Sequence, residues 1–157
     1  MVHRIYVEKK EALRQEAASI RSELCSVLGI AGLTGVRLIN RYDVELADEA
    51  VFERAVQTVF SEPQVDDVSY DVPAGQIVFA VEPLPGQFDQ RADSAVQCVQ
   101  FLKEDENPII KTAVTYLITG DVSDEEFNKI KAYCINPVDS RETDMAVPDT
   151  LVTEYDD

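Results

Sequence analysis

The sequence predicts an α+β protein built from two tandem β-α-β-α-β units. Three observations predict it. Strand-like and helix-like segments alternate in the same order twice. Short strings recur between the two halves. An X-Pro pair, Glu62-Pro63 in the first half and Asn136-Pro137 in the second, stops a helix at the corresponding point of each unit. With 157 residues and 45% hydrophobic content, the chain fits one domain of ordinary size or two small ones.

In the first half, Arg-Ile-Tyr-Val-Glu at 4–8 is β-rich and alternating, which predicts a strand. Leu13, Ala17, Ile20, Leu24 and Val27/Leu28 recur at steps of three and four, one face of an amphipathic helix. Gly29, Gly32 and Gly35 follow that helix rather than open one, so they read as a C-cap and loop and not as a phosphate cradle. Residues 36–44 are strand-like. Asp48 can cap a helix whose inner face is Phe52, Ala55, Val56, Val59 and Phe60. Residues 65–72 then alternate as a strand.

The second half repeats this order. Residues 77–82 form a strand, in which Phe79-Ala80-Val81-Glu82 lines up with Ile5-Tyr6-Val7-Glu8. Leu84-Pro85-Gly86 makes a turn, and residues 89–102 a helix with Ala95, Cys98/Val99 and Leu102 inward. Residues 110–119 are a strand. Asp121 and Ser123 offer caps for a helix carrying Phe127, Ile130 and Cys134 on one face. Leu38-Ile39-Asn40-Arg41-Tyr42-Asp43-Val44 resembles Leu117-Ile118-Thr119-Gly120-Asp121-Val122 with one deletion, and Glu62-Pro63-Gln64-Val65-Asp66 resembles Asn136-Pro137-Val138-Asp139. The period is about 73 to 78 residues, which suits a duplicated small domain. The units are 1–72 and 73–147, and their fusion would imitate a two-fold homodimer. Residues 148–157 read as an acidic tail or linker. The whole stretch from Ser140, with six acids and one base in 18 residues, looks solvated.

Charge and composition narrow the function. With 14 Lys+Arg against 30 Asp+Glu the net charge is −16, which repels nucleic acid and anionic membranes. The N-terminus has no apolar secretory core, and Cys25, Cys98 and Cys134 form no C-x-x-C pair. They read as small buried residues of a cytoplasmic protein. The single histidine, His3, cannot assemble a His-rich metal site or a Ser-His-Asp triad, and it reads as exposed at a strand start.

One segment is not explained by composition. After Pro85-Gly86, the residues Gln87, Phe88, Asp89, Gln90, Arg91, Asp93 and Ser94 crowd polar groups around a helix N-terminus. Such a terminus has free N–H groups and a partial positive charge, so it can bind an anion or dock a loop. On spacing alone the favoured reading is capping, in which Asp89 or Asp93 accepts from the free N–H groups while Arg91 points to water.

The run Pro85-Gly86-Gln87-Phe88-Asp89-Gln90-Arg91-Ala92-Asp93-Ser94-Ala95-Val96-Gln97-Cys98 resembles the N-terminal domain of the large phosphoribosylformylglycinamidine synthase. So do Arg4-Ile5-Tyr6-Val7-Glu8-Lys9-Lys10, Gly32-Leu33-Thr34-Gly35, Asn40-Arg41-Tyr42-Asp43-Val44, Val59-Phe60-Ser61-Glu62-Pro63-Gln64-Val65-Asp66 and Ile135-Asn136-Pro137-Val138-Asp139-Ser140-Arg141. The resemblance runs to about residue 147. It implies a ferredoxin-like fold, a fused pseudo-two-fold dimer of the free-standing (PurS-like) small subunit. It further implies the N-terminal segment of a longer ligase that uses ATP, Mg²⁺ and glutamine-derived ammonia to convert formylglycinamide ribonucleotide to the amidine in purine synthesis. In that family ATP and substrate bind a central synthetase region, and a C-terminal glutaminase cuts glutamine. This segment would hold no cofactor and no catalytic residue. Its expected partners are the glutaminase and synthetase domains, whose ammonia path it would help to shape, with 85–98 facing them. Its exposed edges also invite pairing with a second copy. A different expectation is a stand-alone regulatory module that binds a small metabolite between two ferredoxin-like halves.

Overall fold

The structure, a computed structural model, describes residues 2–46, 48–72 and 77–151. The expected boundary between the halves falls at 73–76, outside the described residues. The elements are β1 (Val2–Lys9), α1 (Gln15–Val27), β2 (Leu33–Glu45), α2 (Glu49–Thr58), β3 (Asp66–Ser69), β4 (Ile77–Pro83), α3 (Gln90–Leu102), β5 (Ile109–Gly120), α4 (Asp124–Cys134) and β6 (Ser140–Thr143). A short 3₁₀ turn at Glu11–Leu13 precedes α1. The fold is α+β, with one six-stranded sheet in the order β3-β1-β2-β5-β4-β6 and every neighbouring pair antiparallel.

Local chemistry sets the helix limits. Asp48 accepts from the N–H groups of Ala50 and Val51 at the start of α2. Ser123 and Glu126 form a reciprocal capping box at α4. After α1 the chain reverses through Gly29 at φ 68°, a left-handed position that side chains avoid. At Gly32 a Cβ would collide with the Asp121 carbonyl oxygen, so a glycine is needed where the end of β5 closes on β2. The glycine spacing therefore serves a helix end and a close strand approach.

The ladders pair segments that lie a fixed interval apart in sequence. Val7 pairs with Asn40, and Val81 pairs with Val114. Val81 lies 74 residues after Val7, so Asn40 stands level with Val114. The hydrogen bonds after α2 and α4 keep the same interval. Asp66 N–H donates to Glu62 O and Ser140 N–H to Asn136 O, both at 2.8 Å, while Lys10 N–H donates to Val65 O and Leu84 N–H to Asp139 O, both at 2.9 Å. The match of 62–66 with 136–139 thus coincides with a repeated local structure. The match of Asn40-Arg41-Tyr42-Asp43-Val44 with Thr119-Gly120-Asp121-Val122 does not. The ladders put Asn40 five positions earlier, and the later string lies at the end of β5 and in the loop beyond it.

All four helices cover one face of the sheet, in two clusters. Ile5, Val7, Tyr42, Val44 and Ile110 pack under α2 and α3, with Phe52, Ala55, Ala95 and Val99. Val36, Phe79 and Ile118 pack under α1 and α4, with Leu24 and Ile130. Each cluster therefore joins a helix of one half to a helix of the other.

The opposite face carries Arg4, Tyr6, Glu8, Ile39, Arg41, Asp43, Thr115 and Leu117, all buried. No helix covers it. The chain after β6 does so in part: Met145 packs on Tyr6, Ile39 and Leu117, Arg4 donates to the Met145 and Ala146 carbonyls, and Arg41 donates to the Asp144 carbonyl. Farther on, Thr150 and Leu151 bond the Glu45 carboxylate, and Leu151 is buried. The stretch from Ser140, expected to be solvated, thus contains an edge strand and a strap, although residues 146–150 are exposed. Buried guanidinium groups need acceptors, and the strap's carbonyls supply them. Two smaller expectations also change. His3 is half-buried, stacked on Phe52 at 4.4 Å between ring centroids. Cys98 is exposed, because α3 turns Val99 rather than its neighbour inward.

Among the described residues, no helix is long and apolar enough to cross a membrane.

Candidate functional site

The 85–98 run begins with a tight turn. Gly86 takes φ 87°, and Gln87 N–H donates to Leu84 O at 3.0 Å. The chain then presents Phe88 outward, 74% exposed. Asp89 is the N-cap of α3. Its Oδ1 accepts from Ala92 N–H at 3.0 Å, and its Oδ2 accepts from the Thr112 hydroxyl at 2.7 Å and the Thr112 N–H at 3.2 Å. One carboxylate therefore caps the helix and ties it to β5. Asp93 does not cap. It accepts from Gln97 Nε2 at 2.9 Å, one turn along α3.

Gln87, Gln90, Arg91 and Ser94 are exposed. The Arg91 guanidinium forms no hydrogen bond or ion pair among the described residues. Two cavities flank it. The first, about 490 Å³, lies between α3, β2 and the end of α2, and is lined by Tyr42, Val59, Gln90, Arg91, Ser94, Ala95 and Cys98. The second, about 400 Å³, lies beside the end of β4, with Glu82, Gln87, Phe88, Asp89, Thr112 and Ser140 among its walls. Gln90 and Arg91 border both. Six of the seven residues singled out by sequence thus meet at these cavities, and Asp93 lies outside both.

The first cavity has a sequence cause. Helices α1 and α3 are both 13 residues long and both begin with Gln. Aligned from Gln15 and Gln90, Ala17 matches Ala92 and Leu24 matches Val99, while Ile20 matches Ala95. Ile20 packs into its cluster. Ala95 is three heavy atoms shorter and leaves space over the sheet.

Tyr42 lines that space. It is 8% exposed, and its ring packs on Phe60 at 4.9 Å between centroids. Its hydroxyl has no hydrogen-bond partner among the described residues. Burial pushes its pKa up, and the nearby Arg91 charge works against that rise. By sequence pattern Tyr42 occupies an apolar strand position. The Tyr42 hydroxyl is not a buried orphan: among the described residues the buried side-chain oxygen without a partner is that of Thr115.

Among the described residues no group of three or more His, Cys, Asp or Glu side chains could hold a metal ion. A scan of protein-family models and a search of curated proteins both find no match for this chain.

Proposed function

We propose that this chain is the non-catalytic assembly domain of a phosphoribosylformylglycinamidine synthase, docking the glutaminase and synthetase domains and shaping the ammonia path between them. On this reading the two β-α-β-α-β halves are a duplicated, ferredoxin-like small subunit fused into a pseudo-two-fold dimer. The observation that carries it is the strand order β3-β1-β2-β5-β4-β6, which reads as the same half from either edge. A fused two-fold dimer joined along one central strand pair has that order. The exposed Phe88, and Arg91 with no ion pair among the described residues, support placing the docking surface at 85–98, because an aromatic beside an arginine is characteristic of interface anchors. On this reading ATP and Mg²⁺ bind the synthetase region rather than this chain.

The test adds the purified chain to the remaining glutaminase and synthetase domains and compares synthesis from glutamine with synthesis from free ammonia. The chain should restore the glutamine reaction and change the ammonia reaction far less. Alone it should neither hydrolyse glutamine nor cleave ATP. Turnover by the chain alone, or no effect on coupling, would overturn the reading.

A further inference from the structure

The helix-free face holds the strap as a receptor holds a peptide. Side chains of β1 and β2 grip three consecutive carbonyls of it. Arg41 donates to Asp144 O at 3.0 Å, and Arg4 donates to Met145 O at 2.7 Å and to Ala146 O at 3.1 Å. Between these bonds Met145 packs on an apolar socket of Tyr6, Ile39 and Leu117. Asp43 fixes the Arg4 fork through two bonds of its own, so the donors stay aimed with or without the strap. Residues 144–149 make no backbone–backbone hydrogen bond to the sheet among the described residues, and Pro148 has no N–H to give. At the far end a side chain is again the anchor: Glu45 accepts from Leu151 N–H at 3.0 Å.

An independent observation lies beneath the strap. Thr143, Ala80, Thr115 and Ile39 stand side by side across β6, β4, β5 and β2. The strap leaves β6 at Thr143 and Met145 reaches Ile39, so residues 144 and 145 pass over Ala80 and Thr115. Thr115 is fully buried, and its Oγ1 is the buried side-chain oxygen without a partner among the described residues. A buried, unpaired hydroxyl is costly, so the strap covers this face without satisfying it, and that cost favours opening. Small side chains make room for the passage. Where Ala80, Ala113 and Thr115 stand, the residues 74 positions earlier are Tyr6, Ile39 and Arg41.

We infer that this face is a docking groove for an extended peptide, and that residues 144–151 are its displaceable occupant, blocking the groove until they open as a unit. The partner that fits is an extended segment with one long apolar side chain for the socket. Its flanking carbonyls accept from Arg4 and Arg41. The covalent link to β6 gives the strap a high effective concentration, so a partner enters only when the strap is loosened. The inference concerns a different surface from 85–98 and does not need the assembly reading.

The experiment uses the full 157-residue chain and a fluorescent peptide of residues 143–151. Met145→Asp in the chain places a carboxylate against the socket and loosens the strap. This variant, its ladder amides unshifted by NMR, should bind the wild-type peptide at least about tenfold more tightly than the wild-type chain does. A peptide carrying the same Met145→Asp change should bind at least about tenfold more weakly. Adding Arg41→Met to the variant chain should weaken binding by roughly threefold to tenfold. Hydrogen exchange on the wild-type chain gives a second readout that needs no variant. Leu151 N–H should exchange at least about 100-fold faster than the β2–β5 ladder amides, because the strap opens while the sheet stays folded. Thr115→Val should slow that exchange, since it removes the unpaired hydroxyl from under the closed strap. Leu151 exchanging as slowly as the ladder, or peptide binding indifferent to the Met145 side chain, would overturn the proposal. So would displacement of the peptide by inorganic phosphate at constant ionic strength, which would make an anion the occupant.

Discussion

Asn40 lies directly opposite Val114 in the central β2–β5 ladder, and the two are 74 residues apart, the interval that also separates Val7 from Val81 and Asp66 from Ser140. On the duplication reading the two occupy equivalent positions, and residues so paired mark where a two-fold axis would pass. If the halves are a fused dimer, residues 1–72 expressed alone should dimerise through β2, with Asn40 opposite Asn40. The exposed 13-residue edge of β2 would otherwise be left unpaired. Light scattering after gel filtration checks this. A folded, monomeric half would count against duplication from a dimer.

The helix-free face makes a second prediction. Asp43 receives two hydrogen bonds from Arg4, at 2.6 and 2.9 Å, and lies 3.8 Å from Arg41 Nε. One buried carboxylate thus serves two guanidinium groups. Burial opposes the Arg4 charge, but the Asp43 hydrogen bonds and attraction outweigh it and raise its pKa. For Arg41, burial and then the Arg4 charge prevail, and its pKa falls. Asp43→Ala should cost about 3–5 kcal/mol, because two buried cations lose their anion. Arg41→Met should cost only about 1 kcal/mol, the bond to the Asp144 carbonyl. Urea unfolding measures both, and equal losses would show that Asp43 does not hold the cluster.

The elements were legible because their periodicity and caps are local. Asp48 and the 85–86 turn fix their segments without help from the rest of the chain, whereas α2 ends at Thr58, ahead of Pro63. The strap was not legible. Its packing depends on Arg4 and Arg41, about 140 and 100 residues earlier, needing carbonyl acceptors. The composition of 140–157 reports only its charge. The candidate site was half legible. The polar run was visible, but the cavity depends on Ala95 facing Tyr42 across the α3–sheet packing, a contact between residues more than 50 positions apart.

Capping and recognition separate at 89–91. Asp89→Ala removes the α3 cap and both bonds to Thr112, and should destabilise the chain by about 1–3 kcal/mol. Arg91→Ala removes no hydrogen bond among the described residues and should shift stability by less than about 1 kcal/mol. Thermal unfolding of the two variants distinguishes the roles. A large loss at Arg91 would make it a structural residue.

The last prediction concerns alkaline pH. Burial, and secondarily the Glu23 charge, pushes the Cys134 thiol from its ordinary value of 9.0 up to about 11. Burial also pushes the Tyr116 hydroxyl from 10.0 up to about 12, with the Cys134 charge adding to it. Each group holds its proton more tightly folded than unfolded. Its contribution to stability is therefore fully present below the ordinary value and is lost as pH rises through the folded one. Stability should fall from pH 9 towards 11, by up to about 1.4 kcal/mol per pH unit for Cys134, and Tyr116 adds its share above 10. Other groups titrate in that range, so the comparison with variants carries the assignment. Cys134→Ala should flatten the slope between pH 9 and about 10.5, and Cys98→Ala, at an exposed site, should leave it unchanged. A thiol-reactive dye at pH 8 should label Cys98 before Cys134. An unchanged slope in Cys134→Ala together with equal labelling would place the Cys134 thiol in water rather than against Tyr116 and the α1–α4 cluster.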